Sequence, residues 1–187
     1  DFNRVTFIYV PIFAIVCFIG LRLEWLFQEV DKEEMTIHRV SNHTAINLID
    51  RGKSLLITDS VLWLNTDRKR FHLAPNHLIS GVDESLFMPL KVEQPLNVFS
   101  WKGLEILVVS GNLQSWNWEG STNYDYVILS QNYSGSLDDV LKLVNCKNIV
   151  LDGSLKGYVA DRLLRESVDT NKTIHSVYHY GAKTIHL

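Results

Sequence analysis

Seven histidines are the first residues whose chemistry suggests a site, because neutral imidazole is a common metal ligand. No two of them show the H-x-H or H-E-x-x-H spacing of metal-binding motifs, and the two cysteines do not form C-x-x-C. His175 and His179 are expected on one face of a surface strand. The sequence therefore predicts no metal and no cofactor. The seven are His38, His43, His72, His77, His175, His179 and His186.

Two aspartates, Asp59 and Asp152, each follow an apolar run typical of a buried strand. Two carboxylates at one edge of a sheet could bind Mg²⁺. Aspartates in this position also cap the helix or turn that follows, which is their more common role. Serines also follow strands, but none lies in a G-x-S-x-G turn, so nucleophilic catalysis is not predicted.

Residues 124–154 show the clearest secondary-structure pattern in the chain, and they include several of the candidate site residues. Two apolar runs, 126–129 and 149–151, predict buried parallel strands. Between them, Ser136 and Asp139 form a capping box that predicts the start of an amphipathic helix. The loop after the first strand lies where open α/β sheets place ligands. Its candidate residues are Ser130, Gln131 and Asn132.

The rest of the chain predicts a small antiparallel meander followed by β-α-β-α-β. A second amphipathic helix is expected at residues 157–166, and a closing hairpin at 173–187 about the turn 180–182. Residues 70–73 predict a strand, and the proline-containing stretch 74–96 predicts an irregular excursion or edge strands. The meander strands are expected at 36–40, 44–49 and 54–58.

Residues 5–21 contain no charged side chain and predict a transmembrane helix, with Trp25 as an interfacial anchor. A cleaved signal peptide is the alternative, but no small-x-small cleavage pattern follows. The predicted division is a membrane helix with its flank at 1–28, a connector at 29–35 and a soluble domain at 36–187.

The net charge of −3 does not indicate the extensive basic surface of a protein that binds many backbone phosphates of a nucleic acid. The basic cluster Arg68, Lys69 and Arg70 is expected to be a solvated turn between two strands. The Lys/Arg count mildly favours a cytoplasmic side for the chain that follows the N-terminal helix.

Residues 37–60 resemble the opening of the metallo-β-lactamase fold, with VSNHTA at 40–45 and LITDS at 56–60. Residues 125–154 and the tail 160–187 resemble the later part of that fold in the C-terminal region of ComEC competence proteins. The resemblance implies a degenerate metallo-β-lactamase-like α/β domain of a bacterial inner-membrane DNA-uptake channel. Its implied partners are the upstream membrane region of the same protein, the lipid bilayer and single-stranded DNA.

Departures from the family pattern decide the expected activity. The family's G-H-H-G-S loop is SQNYSGS at 130–136, and the H-x-H-x-D-H motif has no counterpart in residues 61–123. Without three ligands no bound water is activated, so a non-catalytic domain supporting DNA transport is expected. A metal-dependent nuclease or phosphodiesterase using Asp59 and Asp152, and an interaction domain of an unrelated membrane protein, remain alternatives. The family's extracytoplasmic placement disagrees with the charge count, which leaves the side of the membrane open.

Overall fold

The computed structural model describes residues 2–30, 32–91, 93–113 and 123–187. The side chains of residues 2–8, 23, 25–30 and 169 are outside the description. The helices are α1 (Phe2–Val30), α2 (Ser60–Leu64), α3 (Thr66–His72), α4 (Ala74–Ile79), α5 (Leu137–Leu143), α6 (Gly157–Glu166) and α7 (Val177–Tyr180), with a 3-10 turn at Ser167–Asp169. The strands are β1 (Glu33–Ile37), β2 (Ala45–Asp50), β3 (Lys53–Thr58), β4 (Glu84–Pro89), β5 (Leu96–Trp101), β6 (Leu104–Val109), β7 (Asn123–Leu129), β8 (Asn145–Leu151), β9 (Thr173–Ser176) and β10 (Lys183–His186).

The first sheet has the strand order β10-β1-β2-β3-β4 and contains the predicted meander. Strands β1, β2 and β3 pair antiparallel, whereas β4 joins β3 in parallel. The tight β2–β3 turn places Arg51 and Gly52 at positive φ, which glycine adopts without strain. The meander prediction is confirmed, although β1 begins at Glu33, inside the expected connector.

The second sheet has the order β5-β6-β7-β8-β9 and contains both crossover units. Strands β7, β8 and β9 are parallel, with α5 and α6 as the connecting helices. The capping box at the start of α5 is confirmed, since the Ser136 hydroxyl accepts from the Asp139 N–H and the Asp139 carboxylate accepts from the Ser136 N–H. The β-α-β-α-β prediction is therefore confirmed.

The two sheets pack face to face, and helices cover both outer faces. Between the sheets, side chains such as Met35 and Ile46 meet Ile106, Ile128 and Val150. On the outer face of the second sheet, α5 and α6 bury a core that includes Leu137 and Leu163. On the outer face of the first sheet, Leu62 of α2 and Leu73, which follows α3, are buried. The layer order is helix, sheet, sheet, helix.

Two predictions about local structure are wrong. Residues 70–73 are not a strand, because Asn65 caps α3 by accepting from the Arg68 N–H at 3.0 Å; Arg68, Lys69 and Arg70 therefore lie on a helix. The closing hairpin does not form either, because β9 belongs to the second sheet and β10 to the first, with α7 between them. The stretch 74–96 holds the short helix α4 and the edge strand β4, which suits the edge-strand expectation.

The N-terminal helix is confirmed as α1, and the membrane-spanning prediction is not. Among the described residues, no helix is both long enough and apolar enough to span a bilayer. The Trp25 side chain, the predicted interfacial anchor, lies outside the described residues.

Candidate functional site

Asp59 follows β3 and uses both carboxylate oxygens in hydrogen bonds within the protein. One oxygen accepts from the Leu62 N–H at 2.9 Å, which caps α2. The other lies 2.7 Å from Nδ1 of His43, in the β1–β2 turn. The sequence reasoning considered the cap, but it did not connect Asp59 with His43. That contact closes the β1–β2 turn over the end of β3.

Asp152 follows β8 and is fully buried. Its carboxylate accepts from the Gly153 N–H at 2.7 Å and from the Ser154 hydroxyl. Burial raises its pKa to about 6, although hydrogen bonds from Ser154, Thr44 and the backbone partly oppose that shift. Because the carboxylate is buried and already accepts these hydrogen bonds, binding a divalent cation would require breaking them.

Ser130 and Ser110 join the ends of β7 and β6 below the surface. Their hydroxyl oxygens are 2.7 Å apart, and both residues are buried. The Ser130 N–H also donates to the Val109 carbonyl at 2.9 Å. Ser130 therefore aligns the strand ends, and it cannot meet a ligand from solvent in this conformation.

The β1–β2 segment also packs on the residues that follow β8. A Cβ added at Gly153 would lie 3.0 Å from the Arg39 Cα, so a larger residue would require the two segments to move apart slightly. The Thr44 hydroxyl is 3.2 Å from the Ser154 hydroxyl, while the Thr58 hydroxyl donates to the Thr44 carbonyl at 2.6 Å. Asp59 and Asp152 thus each contact the β1–β2 segment through different residues.

Gln131 and Asn132 line an open pocket of about 370 Å³ at the carboxyl ends of the parallel strands. Asn42, Ser134, Lys156 and Tyr158 complete its polar lining. Beneath them, the buried Tyr133 hydroxyl donates to the Ser136 carbonyl, and burial raises the pKa of this phenol well above its usual value. The pocket offers amides, hydroxyls and one ammonium group, which can bind polar or anionic ligands by hydrogen bonding.

The exposed Tyr158 lines this pocket and Tyr178 packs beside it, a feature that the sequence reasoning missed. Tyr158 is 68% exposed, and Tyr178 packs so closely on the start of α6 that a Cβ at Gly157 would be 3.1 Å from its ring. The Arg39 guanidinium lies 5.2 Å from the Tyr178 ring centroid. Tyr180 is equally exposed and adjoins His179. No spacing in the sequence brings residues 39, 158 and 178 together.

Asp161, His179 and Ser176 form a hydrogen-bond chain of the residue types found in serine hydrolases. The two nitrogens of His179 are each 2.8 Å from an oxygen, one of Asp161 and the other of Ser176. Ser176 is fully buried, so its hydroxyl has no access to a substrate carbonyl. The expectation that His179 lies on a strand is wrong, because it belongs to α7.

Within residues 2–30, 32–91, 93–113 and 123–187, no cluster of three or more His, Cys, Asp or Glu side chains is placed to hold a metal ion. The two candidate carboxylates do not fit one either. Asp59 is committed to the α2 cap and to His43, and Asp152 is buried with a raised pKa. Neither carboxylate is therefore free to bind a metal ion.

The fold and the pocket define a helix–sheet–sheet–helix α/β domain whose candidate binding surface lies at the carboxyl ends of parallel strands. A family model described as the ComEC C-terminal domain matches residues 35–187. The chain belongs to this family, which confirms the resemblance to the ComEC C-terminal region. Neither the curated proteins nor the solved structures contain a match. The likeness to metallo-β-lactamases stays a prediction.

Proposed function

We propose that this chain is the C-terminal part of a membrane-associated competence protein that supports passage of single-stranded DNA without cleaving it. Membership of the ComEC C-terminal domain family indicates a competence and DNA-uptake role. The bacterial inner membrane is the proposed location, and the upstream membrane region of the same protein is the proposed partner. The observation that carries the DNA contact is the polar pocket with the exposed Tyr158 in its lining.

A surface for single-stranded DNA needs aromatic faces for the bases and cations for the backbone. Tyr158 and Tyr178 supply the rings, Arg39 lies over the ring of Tyr178, and Lys156 lines the pocket together with Tyr158. Gln131 in the pocket lining adds an amide that can bond base edges or phosphate oxygens. Such a surface holds a strand without reading its sequence, which suits transport.

The arrangement of the carboxylates supports a non-catalytic role. Metal-assisted hydrolysis requires a cation that lowers the pKa of its bound water and is held by free ligands. Asp59 already binds the α2 amide and His43, and Asp152 already accepts from Gly153 and Ser154. Recruiting either carboxylate would break hydrogen bonds that order the ends of β3 and β8.

Fluorescence anisotropy of a labelled oligothymidylate with the full chain tests the DNA contact. Tyr158→Ala and Tyr178→Ala are each expected to weaken binding at least about fivefold, because stacking on one base is worth about 1–3 kcal/mol. Phe71→Ala is the control, since Phe71 is an exposed aromatic residue on the opposite helical layer. Equal losses in all three variants, or no binding by the unmodified chain, would refute the proposed surface.

A cleavage assay separates this proposal from the nuclease alternative. Single-stranded DNA incubated with the full chain and Mn²⁺, Mg²⁺ or Zn²⁺ is expected to remain intact on a denaturing gel. Metal-dependent cleavage that Asp59→Ala abolishes would establish the nuclease instead.

A further inference from the structure

The helices α2, α3 and α4 expose a group of large apolar side chains, here called the α2–α4 face. Phe71 is 77% exposed and Leu78 83% exposed. The three helices are consecutive, and each packs on the next. Large apolar side chains left exposed on adjoining helices mark a candidate site of contact with a protein or a membrane. The face consists of Val61, Leu64, Phe71, Leu78 and Ile79.

The inward sides of these helices are already used by the fold. Leu62 and Leu73 pack into the core over the first sheet. Asn76 and Ser80 donate to the Glu34 carboxylate at 3.1 and 2.7 Å. The helix layer is thus fixed from beneath by apolar packing and by hydrogen bonds. The exposed apolar side chains cannot turn inward without breaking these contacts.

Basic residues lie among the apolar ones. Between positions 60 and 79 the only acidic residue is Asp67, whereas Arg68, Lys69 and Arg70 are consecutive, in a chain whose net charge is −3. The Lys69 ammonium lies 4.0 Å from the Trp63 ring centroid, which fixes one of these cations against the helix layer. The α2–α4 face is therefore positive locally and complements an anionic partner.

The chain between α1 and the first sheet borders this face. Lys32 follows α1, and its ammonium donates to the Ile79 carbonyl at 3.2 Å, at the end of α4. Along α1, residues 9–21 keep their apolar side chains exposed. The α2–α4 face therefore adjoins the point where an exposed apolar helix meets the domain.

We infer that the α2–α4 face docks on an anionic lipid bilayer, with Phe71 and Leu78 at the acyl boundary and Arg68 at the headgroup phosphates. Interleaved apolar and cationic side chains match the interfacial region of a bilayer, which presents both environments side by side. A symmetric contact between two copies is disfavoured, because an isologous interface would bring the two Arg68–Arg70 clusters together.

Local fluorescence tests this docking in the full chain, independently of any lipid contact made by α1. In a Cys17→Ser background, cysteine is placed at Phe71, at Leu78 or at Val168 and labelled with an environment-sensitive nitrobenzoxadiazole probe. Val168 is the matched control, because it is 81% exposed and follows α6 on the opposite helical layer. Vesicles of phosphatidylcholine, with and without phosphatidylglycerol, are then added.

Probes at positions 71 and 78 are expected to brighten about twofold or more with anionic vesicles and to be quenched by doxyl-labelled lipid, because they leave water for hydrocarbon. The probe at position 168 is expected to stay unchanged. Arg68→Gln is expected to weaken docking about fivefold, and so is Arg70→Gln. High salt is expected to weaken it as well, since the Debye length falls to about 3 Å at 1 M.

Three results would overturn the inference. Water-like emission at positions 71 and 78 with anionic vesicles would show that the face stays in solvent. An equal response at position 168 would show non-specific adsorption. A response that follows protein concentration without vesicles would assign the face to a second copy of the chain. None of these outcomes bears on the DNA contact, which lies at the other sheet.

Discussion

Asp152→Asn is the substitution that tests most directly how the strand ends are held together. The carboxyl group is fully buried and accepts from Gly153 and Ser154. Asparagine keeps the size of the side chain and an oxygen acceptor, but it carries no charge at any pH. The substitution therefore removes the ionisation of one group while it preserves most of the packing.

The expected size of the effect follows from the pKa of Asp152. Burial raises it from 3.8 in the unfolded chain to about 6 in the fold. The native state thus binds the proton more tightly, and this stabilisation is complete below about pH 4 and lost as the pH rises through about 6. A shift of about two units at about 1.4 kcal/mol each corresponds to about 3 kcal/mol.

Urea unfolding of the full chain in non-ionic detergent, followed by tryptophan fluorescence, measures this effect. The free energy of unfolding of Asp152→Asn minus that of the unmodified chain should increase by about 2 kcal/mol between pH 4 and pH 7, because part of the full effect of about 3 kcal/mol falls below pH 4. Asp138→Asn, at an exposed position, is the control and should stay within about 0.5 kcal/mol at every pH. A difference that does not change with pH would show that the Asp152 carboxylate is solvated, and the reasoning would fail.

Two further variants test the same structural account. His38 has its pKa lowered to about 4 by burial and by the nearby His77 and His72, so its contribution is complete above about pH 6.5 and is lost as the pH falls through about 4. Between pH 6.5 and pH 4, the free energy of unfolding of His38→Gln should fall by up to about 3 kcal/mol less than that of the unmodified chain. The same fall in both proteins, measured by urea unfolding, would contradict this. Ser136→Ala should lower the free energy of unfolding in urea by about 1 kcal/mol, because it removes the N-cap of α5. Ser134→Ala, at an exposed position that caps no helix, is the control and should have no such effect. Equal effects of the two variants would argue against the cap.

The opposite signs of Asp152 and His38 explain why single variants are needed. Ionisation of Asp152 destabilises the fold as the pH rises, whereas protonation of His38 destabilises it as the pH falls. Both effects occur between about pH 4 and 6.5, with similar expected magnitudes. They would largely cancel in the unmodified chain, whose pH profile alone would hide both groups.

The candidate site was only partly predictable from sequence. The loop with Gln131 and Asn132 was placed at the end of a strand, and it does line the pocket. Ser130 was grouped with them, but it is buried one layer below. Alternation along an extended chain gives the direction of a side chain relative to the sheet, but it does not give the depth at which the next layer covers it. The grouping of Arg39, Tyr158 and Tyr178 had no sequence signal.

The sequence by itself determined the elements whose stabilising contacts are local. The capped helix α5 between two apolar strands, and the antiparallel pairing of β2 with β3 across a short turn, depend on residues a few positions apart, and both were predicted. The tertiary structure decided the outcomes that depend on distant residues. Strands β9 and β10 separate because their partners, β8 and β1, lie in different sheets, and Asp59 meets His43 only because β2 and β3 fold back on each other. Pairing between strands is selected by the burial that the whole domain achieves, which no local spacing encodes.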